Sequence, residues 1–250
     1  MTSDKTAWIV DRPVEGALFI DTRPKAAYLV GHVEGALALD LTQPMPRLRS
    51  EEDLIAFEKA LAELFGRLGL GGEQRPVVLY DEGLTSRLCR TAFLLGLGGL
   101  DVYLWPYGWE NLARDASVPS PDRMLPNVRL RRDWLLTADE AARHPRLYDV
   151  RGYEEYVGAV HPPCCPRGGR IPGARNAPLP LFYDPTVFTE RTRFLERLGV
   201  KPGEEVGVYC HSGARSAVAF FVLRELGVRA RNYLGSMHEW LQEGLPVDVG

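Results

Sequence analysis

The 250-residue chain is 45% hydrophobic and 25% charged, with a net charge of -3: the composition of a globular protein long enough for one large domain or two ordinary ones. That balance argues against nucleic acid or a membrane as partner, and the longest apolar stretch, near residues 92–100, is too short and glycine-rich to span a bilayer. The first residues show no signal-peptide core, and four cysteines do not make a disulfide framework, so a cytoplasmic, reducing setting is expected.

The first predicted strand, Phe19-Ile20-Asp21-Thr22-Arg23, ends in an Asp-x-Arg sequence. A glycine-rich turn follows at Gly31-His32-Val33-Glu34-Gly35-Ala36, then a helical pattern over 51–65 that runs into Arg67-Leu68-Gly69-Leu70. A second apolar strand, Val77-Val78-Leu79-Tyr80, delivers Asp81, and the helix beyond it carries Cys89 on an apolar face, where a core role is expected. The cluster Trp105-Pro106-Tyr107-Gly108-Trp109 suits a core or the wall of a cleft.

The same series then begins again. Leu147-Tyr148-Asp149-Val150-Arg151 repeats the first strand at an offset of 128 (Asp21 to Asp149), and Val206-Gly207-Val208-Tyr209-Cys210 repeats the second at 129 (Asp81 to Cys210). Arg197-Leu198-Gly199-Val200 repeats Arg67–Leu70, and Tyr233-Leu234 is matched to Tyr103-Leu104. The chain therefore reads as a duplicated domain: residues 1–114, a proline- and serine-rich linker at 115–128, and residues 129–250. Strands alternate with helices in each half, which predicts an α/β fold with a mainly parallel sheet flanked by helices.

The chemistry concentrates in Cys210-His211-Ser212-Gly213-Ala214-Arg215-Ser216, between an apolar strand and an apolar helix. A cysteine at the carboxyl end of such a strand faces unpaired N–H groups and a helix N-terminus, which favour the thiolate. Gly213 allows the tight turn, and Ser212 or Ser216 is placed to cap the helix. The competing reading is a buried structural cysteine, but the loop supplies a nucleophile, a cradle and a cation together.

With these motifs in view, the chain resembles the tandem-domain rhodaneses, the thiosulfate and mercaptopyruvate sulfurtransferases. The resemblance rests on Asp-x-Arg in each half, on the turns at Gly31–Ala36 and Gly169-Arg170-Ile171-Pro172-Gly173-Ala174, and on the six-residue loop Cys210–Arg215. It implies that Cys210 takes the outer sulfur of a donor as a persulfide and passes it to cyanide or a thiol, with no cofactor or metal. Thioredoxin or a protein sulfur acceptor is a further partner of the kind implied. The first half, with Asp81 in the nucleophile's place, is expected to be catalytically silent, since a carboxylate cannot carry a persulfide. Arg215 would stabilise the loop or an anionic donor, and His211 would be a solvent-facing loop residue rather than a base. Ser212 sits where thiosulfate-type members carry lysine and mercaptopyruvate-type members serine. Glu155 stands where both types place a substrate-binding arginine, and would repel an anionic donor.

The second half also has about ten extra residues at 160–169, including Cys164, Cys165 and Arg167. Arg167 is the candidate replacement for the missing cation. The vicinal cysteines read first as two thiols in a proline-rich surface loop, and secondly as a sulfur relay or redox disulfide. A metal site built with His161 would lack a fourth ligand, so none is expected. Two other functions compete: a non-catalytic sulfur-binding or regulatory module acting with a protein partner, and a cysteine phosphatase. Phosphate loops usually place five residues between Cys and Arg, whereas four stand between Cys210 and Arg215 here.

Overall fold

The computed structural model describes residues 7–42, 48–71, 75–120, 126 and 128–250. The chain divides into two compact units, the first ending at Arg131 and the second running from Arg132 to Gly250 together with Leu48 and Arg49. The unit boundary falls between Arg131 and Arg132, past the expected 115–128 linker, part of which (121–125 and 127) lies outside the described residues, while Asp115, its expected first residue, closes a strand of the first unit.

In the first unit the elements are β1 (Leu18–Asp21), α1 (Lys25–Val30), β2 (His32–Val33), β3 (Leu37–Ala38), α2 (Glu51–Arg67), β4 (Val77–Tyr80), α3 (Ser86–Leu97), β5 (Val102–Trp105) and β6 (Arg114–Asp115). The main sheet is parallel, in the order β3-β1-β4-β5, and β2 pairs separately with β6. All four residues of β4 are buried, as suits a central parallel strand. Helix α2 starts at a reciprocal Ser50–Asp53 capping box with three acidic residues in its first turn. Cys89 is fully buried on α3, and Trp105 and Trp109 are core residues while Tyr107 is exposed.

The second unit contains α4 (Ala138–Arg143), β7 (Leu147–Asp149), α5 (Tyr153–Tyr156), β8 (Arg175–Asn176), α6 (Arg191–Leu198), β9 (Glu205–Tyr209), α7 (Ala214–Glu225), β10 (Arg229–Asn232) and α8 (Ser236–Gln242). Its parallel sheet runs β8-β7-β9-β10, the order of the first unit over again. Register corrects one detail of the repeat. Val102 lies opposite Val77 and Ala230 opposite Val206, so Tyr103 corresponds to Arg231 rather than Tyr233. Helix α7 is buried from Ser216 to Leu223, apolar on every side because it is packed on every side. Phe220 and Phe221 are fully buried against Trp134, each such side chain contributing about 1.5–3 kcal/mol of burial.

The two Asp-x-Arg motifs fold alike. Arg23 grips Asp21 through Nε and Nη2 and donates to Gly31 O at 2.8 Å; Arg151 grips Asp149 and donates to Gly169 O at 2.7 Å. Each motif thereby ties a strand end to the glycine turn quoted with it above. In the second unit the extra residues 160–169 fill the longer interval between arginine and glycine.

Candidate active site

Strand β9 ends at Tyr209 and delivers Cys210 at its carboxyl edge, where the N-terminus of the 12-residue helix α7 begins four residues later. Gly213 turns the chain with φ 80°, a conformation glycine adopts without steric cost. The turn folds back on the sulfur: Gly213 N–H donates to Cys210 Sγ at 3.1 Å and Ser216 Oγ at 3.5 Å. Helix α7 has Gly213 at its N-cap with no side-chain cap, so neither Ser212 nor Ser216 plays that part. Ser216 is turned onto the sulfur instead.

Burial alone would push the Cys210 thiol up, but the Arg215 charge, the Ser216 hydroxyl and the N–H groups of Ser216 and Ser212 outweigh it and hold the thiol below its ordinary range. Cys210 is 1% exposed, so a sulfur anion there is stabilised by fixed dipoles rather than by water.

Arg215 is committed to Glu155: Nη1–Oε2 is 2.6 Å and Nη2–Oε1 2.9 Å. This corrects the expectation that Glu155 repels an anionic donor, because its charge is offset by the adjoining guanidinium. Burial would raise the Glu155 carboxyl, yet the bond and charge of Arg215 bring it below the usual carboxylate range. Arg167, the proposed replacement cation, is exposed and donates to Leu245 O at 2.9 Å. Ala214 opens α7.

His211 does not simply face solvent. It is half-buried, with Nε2 3.5 Å from Cys164 Sγ and Nδ1 4.0 Å from Cys165 Sγ, and its ring meets His238 edge-on at 5.6 Å. Burial, His238 and Arg215 hold its pKa below the ordinary imidazole value. Cys164 is exposed, Cys165 is buried, and both are free thiols. His161 stays exposed beside Pro162 O.

One residue escaped sequence reasoning. Ser236 Oγ accepts from Cys210 N–H at 3.1 Å and donates to Tyr233 O at 2.8 Å, while Met237 N–H donates to Cys210 O. Among the described residues Ser236 is the one non-glycine with positive φ, at 52°, and it is fully buried. The repeat held the signal: the matching position in the first half is Gly108, at φ 92°.

In the first unit Asp81 occupies the end of β4. Its carboxylate accepts from Thr22 Oγ1, Thr85 Oγ1, Glu82 N–H and the Arg87 fork. Burial would raise this carboxyl, but Arg87 and the other donors lower it overall. The group is fully engaged in holding its own loop.

A cysteine cradled by its own loop at the end of a central parallel strand, with a thiol-free copy of that loop in the other half, defines a tandem-domain α/β protein with one candidate thiol nucleophile. The Rhodanese-like domain family matches residues 6–115 and again 132–243. The chain belongs to the rhodanese family. A "Thiosulfate sulfurtransferase" of Azotobacter vinelandii is 29% identical over 240 residues, covering 89% of this chain and 87% of the relative. Another of that name from Pseudomonas aeruginosa is 29% identical over 250 residues, covering 93% and 91%. The crystal structure of a "Probable Thiosulfate Sulfurtransferase" is 65% identical with a TM-score of 0.88, covering 95% of this chain and 99% of that one.

Proposed function

We propose that this sulfurtransferase uses Cys210 to carry sulfur from thiosulfate to cyanide or a thiol. The observation that carries the reading is the Cys210 sulfur itself, buried and held by the Gly213 N–H and the Ser216 hydroxyl beside the Arg215 charge. The thiolate attacks the outer sulfur of thiosulfate and forms the new S–S bond. The old bond breaks toward the sulfonate, and sulfite leaves with the electron pair. The loop then stabilises a persulfide anion as it had stabilised the thiolate. An incoming nucleophile takes the outer sulfur, and Cys210 departs as thiolate, ready for another turn. The choice of thiosulfate over 3-mercaptopyruvate is supported by the 65% identical neighbour's name. Thioredoxin or a protein thiol is the larger acceptor we propose, and the Asp81 unit takes no part in the chemistry.

Intact-mass spectrometry after incubation with thiosulfate tests the reading. The expected result is the gain of one sulfur atom, absent in Cys210→Ser and removed by cyanide. An unchanged mass with thiosulfate would overturn it, and a gain with 3-mercaptopyruvate alone would reassign the donor.

A further inference from the structure

The extra residues 160–169 bring two thiols against two imidazoles. Ligand atoms of Cys164, Cys165, His211 and His238 all lie within 4.8 Å of one another. The cysteines stand on a turn closed by Cys165 N–H to Pro162 O at 2.9 Å, which sets their sulfurs 3.8 Å apart. Cys164 Sγ is 3.5 Å from His211 Nε2. A tetrahedral zinc ion, with bonds of about 2.3 Å to sulfur and about 2.0 Å to nitrogen, places its sulfurs about 3.8 Å apart and sulfur from nitrogen about 3.6 Å apart. The Cys164–Cys165 and Cys164–His211 separations match those edges, and the four ligand atoms, all within 4.8 Å of one another, need only a small contraction to close the rest.

A second, independent observation concerns His238. Its Nδ1 is buried and has no hydrogen-bond partner among the described residues, while Nε2 meets the Gln242 side-chain amide at 3.0 Å. Gln242 Oε1 and Nε2 are exchangeable by an amide flip. With the oxygen on Nε2–H, the bare lone pair belongs to Nδ1, and Gln242 becomes the kind of outer partner that orients a metal-bound imidazole.

We propose that Cys164, Cys165, His211 and His238 form a zinc site of the closed Cys2His2 kind, pinning the 160–169 segment to the catalytic loop. Two thiolates with two imidazoles are a donor set suited to zinc rather than to magnesium or calcium. On binding, each thiol gives its proton to solvent and its sulfur lone pair to the metal, so two protons are released per ion with no change of oxidation state. Exposed Cys164 provides the approach from solvent. The inference stands apart from turnover at Cys210, whose sulfur is not among the ligands.

The full chain, stripped with a chelator and kept reduced without oxygen, is titrated with Co2+ and then with Zn2+. One equivalent of Co2+ is expected to give the intense visible bands of a tetrahedral site with thiolate charge transfer in the near ultraviolet. One equivalent of Zn2+ should erase them. Cys164→Ser and His238→Gln are each expected to lose the one-equivalent endpoint, and Cys210→Ser to keep it. If His238→Gln does not fold, as judged by circular dichroism, the exposed Cys164→Ser position carries the test. A pale octahedral spectrum, an unchanged endpoint in Cys164→Ser, or loss of the endpoint in Cys210→Ser would overturn the assignment.

Discussion

Glu155 on α5 and Arg215 in the first turn of α7 meet through two parallel bonds, at 2.6 and 2.9 Å. The pair answers the question raised by a carboxylate beside a sulfur-anion site: Glu155 fixes the guanidinium whose charge favours the Cys210 thiolate. Fork-to-carboxylate geometry also orients Arg215, which a lysine would not reproduce. Replacing Arg215 by Gln removes the cation and leaves Glu155 with only the more remote charge of Arg151. The expected outcome is a fall of about 10²–10³-fold in the rate of persulfide loading from thiosulfate, read by rapid-quench mass spectrometry. Glu155→Gln keeps the cation but loses the charge-assisted fork that orients it, so persulfide loading from thiosulfate should slow while the KM for thiosulfate changes little. A marked fall in the thiosulfate KM would show that Glu155 repels the donor despite its pairing.

Ser236 holds the backbone N–H of Cys210, at a φ that costs a non-glycine residue of order 1–3 kcal/mol. Strain at this position has a use, since the hydroxyl reaches both Cys210 N–H and Tyr233 O. Ser236→Gly should therefore relax the backbone and lose both bonds, leaving stability within about 1 kcal/mol of the parent. Ser236→Ala keeps the strain, loses the bonds, and should unfold at lower urea. Both variants are expected to load sulfur about tenfold more slowly, a drop of ~1.4 kcal/mol in transition-state stabilisation. Equal denaturation midpoints for the two variants would argue that the φ is not strained.

Arg151 is 2% exposed and makes its bonds to Asp149 and to Gly169 O at the base of the inserted segment. Arg151→Met removes one member of a buried ion pair and leaves Asp149 uncompensated, a change that costs about 3–5 kcal/mol. Arg151→Lys retains the charge but cannot make the fork, and should fall between Met and the parent. Chemical denaturation followed by tryptophan fluorescence measures both.

The parts of the molecule legible in the sequence are those carried by short continuous runs. Val206–Cys210 reads as strand and nucleophile because β-formers, a glycine turn and an apolar helix follow one another without interruption. Asp21–Arg23 and Asp149–Arg151 are visible because the ion pair closes within two residues. What stayed hidden depends on distance along the chain. His211 and Cys164 are 47 positions apart, and nothing local to either shows that they meet. Ser236 after Gly235 looks like ordinary helix-start chemistry, yet it bonds a residue 26 positions earlier. Glu155 was visible as a charge, but its partner was not, so its sign alone gave the wrong electrostatic expectation. Tyr103 and Tyr233 were matched by residue type, whereas hydrogen-bonded register aligns Tyr103 with Arg231.

Asp81 provides a pH test confined to the first unit. The carboxyl is fully buried, and Arg87 with three other hydrogen-bond donors holds its folded pKa below the ordinary value despite the burial. A group depressed in this way contributes stability that is fully present above the unfolded value of about 3.9, and that is lost as the pH falls through the lower folded value. The parent should therefore show a falling urea midpoint below about pH 4. Asp81→Asn cannot accept the Arg87 fork in the same way and leaves that cation short of a partner, so it should be less stable at neutral pH by about 3–5 kcal/mol. Its midpoint should change less with acid than the parent's, and the two curves should converge at the lowest pH. Parallel curves for parent and variant would place the acid sensitivity elsewhere in the chain.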